Sequence, residues 1–205
     1  MTRRGRASRE RIVERAAELF ASRGIAAVSV DEVLAAAGAG KGQFYHYFRG
    51  RDELAAAAVG FRCAQVVAGL TGALGEVSSL RDLEQALAGF MTGFEQQGMP
   101  GCPIGTLSTE VAGRNEEARV QAAAGFDAWE KLLAGALDRM REGGELRADA
   151  DPAVLATGLL ASIEGGMVLS QARKDMASLR IAVEAGLAGV RAHLNLVCTN
   201  SSTLC

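Results

Sequence analysis

Between two glycine-rich turns, residues 38–54 read Gly-Ala-Gly-Lys-Gly-Gln-Phe-Tyr-His-Tyr-Phe-Arg-Gly-Arg-Asp-Glu-Leu. Both tyrosines of the chain lie here, with two of its seven phenylalanines and one of its two histidines. Phe44 and Phe48 are four residues apart and share one helical face. Lys41, Gln43, Tyr45 and His46 fall elsewhere on the same short helix, from about Lys41 to Tyr47. Just upstream, Ser29-Val30-Asp31-Glu32 is a capping box: the serine hydroxyl takes an orphan N–H and the glutamate reaches back. Gly38 ends the helix so begun. A capped helix, a tight turn and a short polar-aromatic helix form the layout of a helix-turn-helix DNA reader.

The residue types suit that task. A helix in the major groove needs its first turn free for base edges and flanking groups for phosphates. Gln43 can pair bidentately with adenine and Lys41 can reach guanine. Gly42 permits close approach of the backbone. Tyr45, Tyr47 and Arg51 suit phosphate contacts, and Ser29 stands at a helix N-terminus that can face another phosphate. His46 fits two roles, a DNA contact or a cap on the domain surface. An ordinary aromatic core helix leaves both tyrosines and the exposed lysine unexplained.

The segment from about Arg9 to Leu54 resembles the N-terminal domain of TetR-type transcriptional regulators. The resemblance rests on Lys41-Gly42-x-Phe44-Tyr45-x-Tyr47-Phe48 after an Ala-Gly turn, and on Asp52-Glu53-Leu54 opening the next helix. Where members often open the recognition helix with Ser or Thr, this chain has Gly40. Glycine is an acceptable N-cap, but a hydroxyl able to bond a phosphate is missing. The resemblance implies an all-α homodimer whose two heads bind a palindromic operator in double-stranded DNA. It also implies a small-molecule effector in the body, and DNA-contacting roles for the positions named above.

The charge is divided in the same sense. Through Arg51 there are ten basic and five acidic residues, net +5; from Asp52 onward there are twelve and nineteen, net −7. A basic head on an acidic body holds DNA at one end while the rest avoids it. No charge-free apolar run approaches the roughly 18 residues of a membrane span. No apolar signal core follows the basic start Met1-Thr2-Arg3-Arg4-Gly5-Arg6. The expectation is a cytoplasmic protein without a membrane partner. Cys63, Cys102, Cys198 and Cys205 have neither CxxC spacing nor a zinc-like histidine pattern, so no metal, disulfide framework or cofactor is expected.

Helical periodicity runs through the chain. Residues 1–7 read as a basic arm and about 8–22 as the first amphipathic helix. Further helices are expected from Arg51, over Leu80 to Phe94, from Cys102-Pro103 to about Ala112, and from Asn115 to Gly143. The last two span about Asp151 to Lys174 and Ser178 to Leu194. The expected division is a head at 1–50, a body at 51–194 and an irregular tail at 195–205.

Three features of the body bear on function. Phe90, Phe94, Phe126 and Trp129 lie on helical stripes with Met91; most suit a plain core, and they also suit an apolar effector pocket with a few polar groups. Met167, Cys102 and Glu110 join that candidate set, and Glu164 fits either the pocket or a subunit boundary. Cys102 sits at a helix N-terminus, which lowers thiol pKa; it reads as a buried turn residue or as an oxidant sensor. Lastly, Gly158, Ser162, Gly165 and Gly166 in one helix, and Ala182, Ala185, Gly186 and Gly189 in the next, recur at helical spacing. Glycine in a helix costs about 1 kcal/mol against alanine, so such a set points to close packing, here a four-helix dimer interface. An enzyme fails for want of a nucleophile–base pair or metal-ligand set. A helical protein-interaction module remains the rival of another class.

Overall fold

The computed structural model describes residues 2–195; the expected tail, Asn195 apart, lies outside the described residues, with Cys198 and Cys205. Among the described residues the chain is all-α, as the sequence predicts. Its nine helices are α1 Arg3–Arg23, α2 Val30–Ala37, α3 Lys41–Tyr47, α4 Arg51–Leu74, α5 Leu80–Gln96, α6 Pro103–Val111, α7 Glu116–Glu142, α8 Pro152–Arg173 and α9 Ala177–Arg191. The helices pack as two compact units, Met1–Gly72 with Gly98–Trp129, and Ala73–Gln97 with Glu130–Cys205. The first unit thus holds α1–α3 together with most of α4, α6 and the start of α7.

In the first unit α1, α2 and α3 bury Ile12, Val13, Ala16, Phe20, Val33, Phe44 and Phe48. The expected basic arm is instead the first turns of α1. Thr2 caps it, its hydroxyl accepting the Gly5 N–H at 3.1 Å, and arginine and alanine are good helix formers. Gly24, at φ +81°, ends α1 in a conformation side chains rarely adopt.

In the second unit α8 and α9 form a tight antiparallel hairpin. A Cβ on Gly166 would lie 2.8 Å from the Ala182 Cβ, and one on Gly186 2.7 Å from the Leu159 Cδ1. Glycine lets these backbones approach. Asp151 caps α8, accepting the Ala153 N–H at 2.9 Å, with Pro152 in the first turn. The buried Ser170 hydroxyl accepts the Leu179 N–H at 2.9 Å and closes the hairpin. By length and composition α4 and α8 are apolar enough to cross a membrane. Each carries a charged residue within its apolar run, Arg62 in α4 and Glu164 in α8. Here α8 lays Leu159, Ile163 and Gly166 into the core with α9.

Candidate nucleic-acid interface

The capping box forms as read. The Ser29 hydroxyl accepts the Glu32 N–H at 3.3 Å, and Glu32 accepts the Ser29 N–H at 2.8 Å. The Ser29 N–H, then its hydroxyl, then Arg23 hold the Glu32 carboxyl down to about 2. Gly38, at φ +59°, turns the chain, and Gly40 is the N-cap of α3. The missing serine or threonine is replaced from inside the helix: Gln43 Oε1 accepts the Gly40 N–H at 3.1 Å.

α3 is two-faced. Phe44 and Phe48 are buried, while Lys41, Gly42, Gln43, Tyr45 and His46 are exposed, Tyr45 at 69%. Tyr47 is half-buried, its ring edge-on to those of His46 and Phe48. A Cβ on Gly42 would meet nothing within 4 Å, so the backbone there is open to approach. Ser29, Lys41 and Tyr45 line one cleft of about 250 Å³, with Asp31, Val30, Leu34 and Phe44. Lys41 is paired across it with Asp31, at 3.1 Å.

Arg51 departs from expectation. Its guanidinium turns onto the loop before α2, donating to the carbonyls of Ile25 and, at 3.2 Å, Val28. In the free protein the Arg51 Nη2 thus holds the α1–α2 loop. Glu110 departs likewise. Its carboxylate accepts the Ile25 N–H at 2.6 Å, in that same loop. Two further contacts join the head to the α6–α7 turn: Asn115 Nδ2 to the Asp52 carbonyl at 3.0 Å, and Arg49 to Glu117 at 3.0 Å. Arg49 also binds Glu53 at 3.0 Å. The Arg49 N–H first, and then its guanidinium, hold the Glu53 carboxyl below its ordinary value.

The other candidates fall in both units. In the first, Cys102 is buried and its Sγ accepts the Gly105 N–H at 3.3 Å, capping α6. Trp129 is buried and Phe126 half-buried, both on α7. In the second, the Phe90 and Phe94 rings stack at 6.5 Å and Met167 is buried. The small residues of α8 and α9 divide. Gly186 and half-buried Ala182 serve the intrachain hairpin, whereas Cβ atoms on Gly158, Gly165 or Gly189 would meet nothing within 4 Å. Half-buried Ser162 returns its hydroxyl to the Gly158 carbonyl at 2.9 Å.

Residues 12–58 match the model for bacterial regulatory proteins of the tetR family, and residues 77–185 match the tetracyclin repressor-like C-terminal domain. The chain belongs to the tetR family. Family membership makes it a DNA-binding transcriptional regulator with an N-terminal helix-turn-helix. It is 32% identical over 190 residues to the HTH-type transcriptional regulator YxaF of Bacillus subtilis, covering 90% of this chain and 95% of that one. It is 26% identical over 162 residues to the HTH-type transcriptional repressor DhaR of a Mycobacterium species, covering 78% and 80%. The crystal structure of Escherichia coli NemR in its reduced form superposes with a TM-score of 0.74 at 26% identity, covering 92% and 97%. A tetR-family regulator from Cytophaga hutchinsonii shares the fold, with a TM-score of 0.79 at 20% identity and 95% and 98% coverage.

The sequence gives no sign of the contacts made by Asp31, Arg49, Asn115 and Glu117, though Asp31 lies in the capping box and Asn115 at a helix start. The first looked like one more acidic residue in a helix's first turn. The others act through partners 68 and 63 residues away, and no local pattern encodes such pairs.

Proposed function

We propose that this tetR-family regulator is a homodimeric repressor, released from a palindromic operator by a small molecule. The observation that carries the reading is the outer face of α8 and α9. Val154, Val168 and Ile181 stand there at 66%, 59% and 70% exposure, beside the open Gly158 and Gly165. An apolar, small-residue face of this kind fits a second copy of the chain. Two copies bring two recognition helices, which a palindrome requires. DNA contact is assigned to Lys41, Gly42, Gln43, Tyr45, His46 and Tyr47, with Ser29 at the α2 N-terminus. The similarity to a named repressor, DhaR, supports the direction of control.

Effector contact is assigned to Phe126 and Trp129 on α7. The α6 helix supplies a route from body to head, since Cys102 caps one end and Glu110, near the other, holds the Ile25 N–H. A shift of α6 moves the loop that carries α2. Effector and operator then oppose each other by one coupling of about 1–3 kcal/mol. The test is a screen of small apolar molecules by Trp129 fluorescence, paired with operator titrations. A true effector changes both at the same concentrations; fluorescence ligands that all leave operator binding intact would refute the coupling. Oxidant sensing through Cys102 is the second reading, favoured by its place as the α6 cap. It requires that oxidant release DNA from wild type but not from Cys102→Ser.

A further inference from the structure

Asp31 is the carboxylate lining the cleft between the start of α2 and the recognition helix. Its neighbour Glu32 is taken by Ser29 and Arg23. Asp31 instead holds Lys41, at 3.1 and 3.2 Å from its two oxygens, with side-chain exposures of 66% and 70%. So exposed a pair adds little to the stability of the free protein. Yet it sets an acidic group on the surface that meets DNA, in an N-terminal segment that through Arg51 carries a net charge of +5. Against phosphate alone that carboxylate is unfavourable. Opposite a hydrogen-bond donor on a base edge it is not.

A carboxylate beside an ammonium presents an acceptor next to a donor. A G·C pair in the major groove presents the complement: guanine O6 and N7 accept, and cytosine N4 donates. We propose that Asp31 and Lys41 read one G·C pair in each half-site as a unit, Lys41 donating to guanine and Asp31 accepting from cytosine N4. Asp31 is then a specificity residue. At a non-cognate pair it faces base acceptors or phosphate and weakens the complex. Its gain at the correct base and its cost elsewhere both widen discrimination. The inference rests on α3 being the recognition helix and goes beyond it by naming the base pair.

The experiment is selection of bound duplexes from a random pool by wild type, Asp31→Asn and Asp31→Ala, followed by titrations over a range of salt. Both variants keep the Ser29–Glu32 cap, and thermal melts confirm the fold. Wild type is expected to select a G·C pair at one fixed position of each half-site. Both variants lose roughly five- to tenfold of that preference. Asp31→Asn moves toward adenine at that position, because an amide pairs with adenine N6 and N7. Both variants bind unrelated duplex more tightly, and the logarithmic salt slope steepens by at most about 0.9 for the one charge removed. An unchanged G·C preference in both variants, or an equal change of affinity for every duplex, overturns the proposal and leaves α3 as the reader. A wild type that selects no sequence overturns both.

Discussion

Gly165 and Gly166 are consecutive on α8 and have opposite surroundings, so alanine at each should act in opposite directions. At 166 a new Cβ would lie 2.8 Å from the Ala182 Cβ and 3.0 Å from the Leu179 Cα. Neither is the end of a flexible side chain, so α9 must shift. Forcing a methyl into a packed contact costs about 1–3 kcal/mol, offset by about 1 kcal/mol from the better helix propensity of alanine. The net is a loss of up to about 2 kcal/mol. At 165 a Cβ meets nothing of its own chain within 4 Å, and the propensity term stabilises the single chain by up to about 1 kcal/mol. Urea denaturation separates the two, run at several protein concentrations because a dimer's stability depends on concentration. Gly165→Arg extends the test: the chain stays folded, but sedimentation shifts toward monomer and palindrome affinity falls. Gly166→Ala matching or exceeding Gly165→Ala in stability would show that the hairpin spacing has been misjudged.

Other perturbations probe the head. Arg51→Ala is expected to destabilise the fold by about 1–3 kcal/mol, through loss of charged donors to the loop carbonyls. It should leave the salt slope of DNA binding unchanged, which denaturation and gel-shift titrations check together. Glu110→Ala should weaken effector control more than operator affinity, because it cuts the bond from α6 to Ile25. Equal operator release in variant and wild type argues against that route. The low pKa of Glu32, about 2 against an ordinary 4.5, gives a pH prediction. Its contribution to stability is fully present above 4.5 and is lost as pH falls from there through about 2. Glu32→Gln should therefore flatten the stability profile within that acid window.

Local chemistry made the head legible. The capping box, the Gly38 turn and the Phe44–Phe48 face are each decided by residues within a turn of one another, so periodicity and capping rules reach them. The start of α1 was missed because an arginine-rich end reads as solvated arm, whereas Thr2 and good helix formers suffice to start a helix. Arg51 was assigned from residue type and the family resemblance, Glu110 from its place in the body. Both side chains are committed to the Ile25 loop, 26 and 85 residues away, and only the fold brings those groups together. The small residues of α8 and α9 stand out by their helical spacing, but spacing does not say which packs on what. The backbone separates Gly166 and Gly186, which face the hairpin, from Gly158, Gly165 and Gly189, which face outward.

The most direct test of the account is binding of the wild-type protein and of Lys41→Ala and Gln43→Ala to a palindrome selected from a random pool, with the number of chains per duplex counted. The account predicts two chains per palindrome, with each substitution costing about 1–3 kcal/mol and relaxing base preference while the fold stays intact. A single chain bound with full affinity, or substitutions that leave the selected sequence and its affinity unchanged, would contradict it.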